Sequence, residues 1–137
     1  MDKYEVIDHT ADIGVKAKGK SVEECFENAA YGMFDIITDK SEIENTGQYD
    51  IELESSDLEN LLVDWLSELL YLHSANNLVF GFFKVEIADE KKLKGRVFGE
   101  KLDISKHKIG SEIKAVTYHM LEIRKKRPFY AQVLFDI

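Results

Sequence analysis

The sequence predicts an α+β fold: a largely antiparallel sheet, with a mixed sheet left open, and two main amphipathic helices in the order ββαβαββββ. Three observations predict it. Two stretches carry apolar residues at helical spacing. Other stretches alternate apolar and polar residues with period two. The alternating stretches cluster after the second helix instead of interleaving with helices, as a parallel sheet would require.

The first strand is expected near Tyr4–Ile7 and the second near Ile13–Ala17. The first helix begins at Ser21, with Glu24 three residues on, a capping-box pattern. Val22, Cys25, Phe26, Ala29, Ala30, Met33, Phe34 and Ile37 then form one apolar stripe. Tyr49, Ile51 and Leu53 alternate with Asp50, Glu52 and Glu54, so the third strand has one wet face. The second helix is expected from Ser56, with Glu59 three residues later and a stripe running from Leu58 through Leu61, Leu62, Trp65, Leu66 and Leu69 to Leu70. Both stripes need a sheet or another helix to cover them. Phe83, Val85 and Ile87 alternate with Phe82, Lys84 and Glu86, and Leu93–Phe98 returns across a turn near Asp89-Glu90 as a hairpin partner. Val116–Ile123 and Phe129–Phe135 form the last pair, joined through Arg124–Pro128.

A chain of 137 residues fits one domain, expected over residues 1–137. Its 45% hydrophobic and 32% charged residues are ordinary for a soluble globular protein. A single Cys excludes an internal disulfide framework and a Cys-rich zinc site. No apolar stretch is long enough for a bilayer, and Met1–Glu5 lacks the layout of a signal peptide, so the expected location is the cytoplasm, with no membrane partner. The net charge of −8 argues against direct, tight nucleic-acid binding. It suits cation binding or docking on a basic partner, and it also serves solubility alone.

The carboxylates at the two ends organise the functional reading. Asp8-His9-Thr10-Ala11-Asp12-Ile13-Gly14 lies between two strands. Asp, Thr and Gly form turns, so a structural turn explains the segment by itself. It lacks the ligand spacing of an EF-hand and the His or Cys pairs of a zinc site. At the other end, Phe135-Asp136-Ile137 stops directly after an apolar run. A solvated strand-end Asp is the plain reading of Asp136. An ordered end would instead set the Asp136 side chain beside the main-chain carboxylate of Ile137. If the fold brings Asp12 there, three carboxylates meet and must bind a cation, shift their pKa values or splay into water. Oxygen ligands alone suit Ca²⁺ or Mg²⁺ rather than a soft metal.

His9 and His119 have the chemistry of a general acid or base, but no Ser, Cys or second His completes a triad, and partly buried structural roles account for both. His73 and His107 are expected at the surface. Cys25 and Trp65 fall on apolar stripes and read as core. Lys84, Lys92, Lys94 and Arg96 read as wet faces of a hairpin. Arg124-Lys125-Lys126-Arg127 is a compact basic turn, able to touch phosphate or simply to be solvated. The glycines form no phosphate-binding fingerprint.

Together these segments resemble the archease family. The resemblance rests on Asp8-His9-Thr10-Ala11-Asp12 followed by Gly14, and on the helix Leu58–Leu72 with its Leu-Leu-Val-Asp-Trp-Leu core. Glu112-Ile113-Lys114-Ala115-Val116-Thr117-Tyr118-His119 and the terminal Phe135-Asp136-Ile137 complete it. It runs essentially end to end. It implies a protein partner rather than a self-sufficient enzyme, with no catalytic residue of its own. That partner is an RtcB-type RNA ligase of tRNA splicing, which guanylylates its own histidine with GTP and Mn²⁺. The accessory protein promotes that step and multiple turnover. The resemblance places metal ligands on Asp12, Asp136 and the terminal carboxylate of Ile137. The expected cation is Ca²⁺, with Mg²⁺ or Mn²⁺ as alternatives. Asp8, His9, Lys114 and His119 lie in family-like motifs as partner-facing or supporting residues. Two competing readings are a stand-alone metal-dependent hydrolase using Asp12, Asp136 and His9, and a chaperone-like modulator of RNA-modifying enzymes.

Overall fold

The computed structural model describes residues 3–9, 12–39 and 41–137, with only the backbone of His9. The element order is β1 (Tyr4–His9), β2 (Asp12–Gly19), α1 (Val22–Thr38), β3 (Gly47–Glu54), α2 (Leu58–Asn76), β4 (Leu78–Ala88), β5 (Lys92–Lys101), β6 (Ala115–Arg124) and β7 (Phe129–Asp136). The predicted class and order hold. The single sheet does not: among the described residues the strands form two sheets, β1-β2-β7-β6 and β3-β5-β4. Every pairing within them is antiparallel.

The helices explain the division. α1 buries residues on nearly every side, from Cys25 and Phe26 through Ala29, Ala30 and Gly32 to Ile36 and Ile37. A helix apolar around most of its circumference needs cover on two sides. α1 packs on β2 and β7 of the first sheet and on β4 of the second. α2 reaches from β6 to all three strands of the second sheet. The Trp65 ring lies against Gly95 of β5, where a Cβ would come within 2.6 Å of it. The indole N–H of Trp65 donates to the Phe26 carbonyl at 3.1 Å, locking α2 to α1. The core is therefore a helix layer between two sheets.

Local signals set the helix ends. The Ser21 hydroxyl accepts the Glu24 N–H at 3.1 Å, while the Glu24 carboxylate accepts the Lys20 N–H at 3.0 Å. Asp39, in the left-handed region at φ 48°, closes α1. The cap of α2 is Asp57, one residue later than predicted. Its carboxylate accepts the Asn60 N–H at 2.8 Å, and Ser56 instead accepts from the Asn60 side chain at 3.0 Å. Cys25 is core as predicted, and burial pushes its thiol up to about 12.

Three histidines differ from expectation, the first being His73, which is half-buried with its Nδ1 bonded to the Leu78 carbonyl at 2.8 Å. His107 is not a surface residue but 2% exposed. Its Nδ1 accepts the Asp103 N–H at 3.0 Å, leaving Nε2–H to donate to Glu100 at 3.0 Å. The chain from Asp103 to Lys106 folds around the ring, so a polar stretch hides it. His119 is exposed rather than partly buried. It lies in an irregularity of β6, whose pairing with β7 runs to Thr117↔Leu134 and resumes only at Glu122↔Gln132. The extra residues of β6 bulge outward and expose Tyr118 and Met120 with it.

Candidate functional site

The first sheet ends in a row of partners across four strands. His9 of β1 pairs with Asp12 of β2, Asp12 with Asp136 of β7, and Asp136 with Ala115 of β6. Directly opposed residues on antiparallel strands share a face, with Cβ atoms about 4.5–5.5 Å apart. Asp12 and Asp136 therefore project to the same side. That side is the outer face, because the alternating residues Val15, Ala17, Val133 and Phe135 are fully buried toward the helices. Asp12 is half-buried and Asp136 exposed. The Lys114 N–H donates to the Asp136 carbonyl at 2.7 Å, pinning the end of β7. Ile137 follows, 45% exposed.

The next outward row explains Gly14. It pairs with Leu134, whose side chain crosses it and is itself 1% exposed. A Cβ at Gly14 would meet Leu134 Cδ2 at 2.2 Å and the Val133 carbonyl at 2.7 Å. An apolar floor thus lies beside the carboxylate row, where electrostatic interactions are less screened.

The structure therefore brings Asp12 and Asp136 together, and Ile137 follows Asp136 in the chain. Asp8 stays apart. It shares a row with Ile13 and Phe135, which face the helix layer, so alternation turns Asp8 to the other side. Lys114 reaches the site through its main chain. His119 lies four positions along β6 from Ala115. Thr10, Ala11 and the side chain of His9 lie outside the described residues. Among the described residues, no group of three or more His, Cys, Asp or Glu side chains could hold a metal ion. A cation at the Asp12–Asp136 row would need main-chain oxygens, the terminal carboxylate or water to complete its shell. Oxygen donors of this kind suit a hard divalent ion, so the residues present fit one.

Sequence reasoning missed the support behind this edge. Residues Asp103 to Lys114 link β5 to β6 and are tied down along their length. Gly110 and Ser111 donate to Ile37 and Ile36 carbonyls at the end of α1, both at 2.9 Å. At the loop's root, burial pushes the Glu100 carboxyl up. Bonds from Lys106, the Glu44 N–H and His107 outweigh it and hold Glu100 at about 2. No periodicity marks these residues. The sequence carries no other signal of them, and His107 itself reads as a surface residue. Tyr4 is bonded to Asp35 across β1 and α1, and burial with that bond raises its pKa.

The architecture is that of a small acidic α+β protein, two helices layered between two antiparallel sheets, with Asp12 and Asp136 paired at one sheet end. The chain belongs to the archease family: the model of the Archease protein family (MTH1598/TM1083) matches residues 4–137. It is 47% identical to the protein archease of Methanosarcina barkeri, over 98% of this chain and 96% of that one. It is similar to the solution structure of Methanobacterium thermoautotrophicum protein 1598, at TM-score 0.81 and 38% identity, covering all of both chains. A crystal structure described as an archease, possible chaperone, from Thermotoga maritima matches at TM-score 0.59 and 21% identity, over 97% of this chain and 96% of that one. At that identity it speaks for the fold alone. Among the described residues, no helix is long and apolar enough to cross a membrane.

Proposed function

We propose that this protein is a metal-binding accessory factor that activates an RtcB-type RNA ligase in tRNA splicing, promoting ligase guanylylation and multiple turnover. It acts in the cytoplasm and has no turnover of its own. The observation that carries the reading is the direct pairing of Asp12 with Asp136, in a chain of the archease family. Two carboxylates directly opposed on one face repel, and a divalent cation is one means of sharing positive charge between them.

Asp12, Asp136 and the terminal carboxylate of Ile137 are the ligands, with Ca²⁺ the first choice and Mg²⁺ or Mn²⁺ the alternatives. When bound, the cation supplies positive charge that carboxylates and phosphates can share. The protein's residues hold the acidic edge rigid through the Lys114 bond and the Leu134 floor, and present it to the ligase's nucleotide site. Positioning a phosphate against a nucleophile contributes about 7 kcal/mol in favourable cases, enough to account for an activator without chemistry of its own.

The test is multiple-turnover RNA ligation by a purified ligase from the same source. It compares no addition, the untagged protein, Asp12→Ala and Asp136→Ala. Stimulation by the parent alone supports the reading. Full stimulation by both folded variants overturns it. A second reading is a chaperone-like modulator of RNA-modifying enzymes; the Thermotoga maritima protein of the same fold is described as a possible chaperone. It requires that partner binding survive loss of both aspartates.

A further inference from the structure

The first sheet is electrically polar along its strands. One end carries Asp12 and Asp136. The other, about 23 Å away at ~3.3 Å per residue along β2, is basic. Lys16, Lys18 and Lys20 from β2 and its exit meet the turn Arg124-Lys125-Lys126-Arg127 between β6 and β7. Seven of the chain's 18 Lys and Arg gather there, in a protein of net charge −8.

The pairing orders them. Lys18 pairs with Tyr130, and Tyr130 with Arg124, giving a cation–aromatic–cation row across β2, β7 and β6. Lys16 Nζ lies 4.3 Å from the centre of the Tyr130 ring. A cavity of about 380 Å³ opens beside the row, lined by Glu122, Ile123, Arg124, Lys125, Lys126 and Tyr130. Arg124 is fixed within the turn. Its guanidinium is held by an Nη2–H bond to the Arg127 carbonyl at 3.1 Å. Its Nε–H is buried without an acceptor, the one such side-chain atom among the described residues. That atom is out of reach of an outside ligand as the side chain stands, so the case for an anion rests on the exposed Lys125, Lys126 and Arg127 around the cavity.

We propose that this basic end binds the phosphate backbone of a single-stranded RNA. A phosphate offers the oxygens that an Arg fork requires, and a neighbouring base can stack on Tyr130 by displacing the Lys16 ammonium from its ring. A duplex presents its bases edge-on inside a groove, and an acidic peptide has no repeating flat faces. Three carboxylates oppose the patch and limit its affinity. Glu5 pairs with Lys18 at 2.7 Å and Glu90 with Lys125 at 3.2 Å, and Glu122 is bonded to the Tyr130 hydroxyl. The first two are surface pairs that a phosphate can displace. The anion site stands on these contacts alone. The choice of RNA over DNA rests on the proposed function.

The experiment measures fluorescence anisotropy of a labelled single-stranded RNA with the full chain alone. It uses the parent, the exposed-residue variant Lys125→Ala/Lys126→Ala/Arg127→Ala, and Asp136→Ala. Four phosphate contacts predict that affinity falls about 50-fold between about 50 and 200 mM salt. The triple variant should bind about tenfold more weakly with a shallower salt slope, while Lys125→Arg/Lys126→Arg and Asp136→Ala bind like the parent. Thermal melting of each variant reports its fold. Absence of binding at low salt, equal binding by the folded triple variant, or equally tight binding of polyglutamate overturns the proposal. Equal binding of single-stranded DNA overturns the assignment to RNA. No ligase enters the assay, so failure of the activator reading and failure here are separate results.

Discussion

The two sheets differ in how they handle charge at their ends, although mid-sheet both oppose unlike charges, as Glu5 and Lys16 are opposed in the first. On the outer face of the second sheet, each charged row mixes signs. Asp50, Arg96 and Lys84 form one row, Glu52, Lys94 and Glu86 the next, and Glu54 faces Lys92 beyond them. On the outer face of the first sheet, Asp12 opposes Asp136 at one end, and cations flank Tyr130 at the other. Opposite charges across a ladder stabilise it, and like charges weaken it. The second sheet opposes unlike charges along its rows, whereas the first opposes two aspartates at one end and offsets the cations of the other with Glu5 and Glu90. A like-charge pair across a ladder is a local departure from that rule, and the first sheet's aspartates are where it falls.

The comparison assumes that both sheets share one core, and Trp65 tests that first. Its ring packs on Gly95 of the second sheet, and its N–H bonds α1, which carries the first. Trp65→Ala should lower the unfolding free energy by about 3–5 kcal/mol in urea titration, from the lost packing and the cavity left behind. Circular dichroism and intrinsic tyrosine fluorescence should then give one coincident transition. Two separated transitions would mean that the sheets unfold independently, and the contrast between them would become one between two folding units.

The next largest effect lies at the connection. Glu100, at the end of β5, holds the loop that carries Lys114 to Asp136. In the folded protein its pKa is held at about 2, below the ordinary 4.5. A depressed carboxyl contributes stability that is whole above about pH 4.5 and is lost as pH falls toward about 2. Glu100→Gln should cost about 2 kcal/mol at neutral pH, after allowance for screening by solvent, and flatten the acid limb over that window. It should also weaken Ca²⁺ binding at the acidic edge. An unchanged acid limb would separate this network from the stability of the loop.

How far the sequence reveals this design depends on the reach of each signal. Ser21 and Glu24 act within one helical turn, so the start of α1 is legible. At α2, Ser56 and Asp57 are both good caps. Which one reaches Asn60 is settled by the chain's entry angle, which residue types do not encode. The division into two sheets was written in α1, whose small and apolar residues surround the helix, but a single stripe was the simpler pattern. Asp12 and Asp136 stand at opposite ends of the chain, and only the pairing of β2 with β7 joins them. His107 gave no signal, because its burial is made by bonds within a polar loop rather than by an apolar neighbourhood.

Asp136→Asn probes the like-charge pair itself. With chelator present, the variant should match the parent or exceed it by up to about 1 kcal/mol, since one of two opposed charges is gone. Added Ca²⁺ should raise the unfolding midpoint of the parent and leave that of the variant in place. If the variant is destabilised and both forms respond equally to Ca²⁺, the carboxylate pair is structural, and the contrast between the sheets loses its functional meaning at this end.

The smallest effect belongs to the second sheet and sharpens the comparison from the other side. Arg96 Nε lies 3.7 Å from the Asp50 carboxylate, and both side chains are more than half exposed. Exposed pairs of this kind are worth about 0.2–1 kcal/mol. A double-mutant cycle on Asp50→Asn and Arg96→Gln should therefore give a coupling of about 0.5 kcal/mol, shrinking as salt rises. Its sign carries the argument. A favourable coupling here, beside a neutral or unfavourable one between Asp12 and Asp136 in chelator, shows that the same cross-strand geometry is used for stability in one sheet and against it in the other. If both couplings are favourable, the acidic edge is stabilised by its own surroundings, and a cation is not needed to explain why the two aspartates face each other.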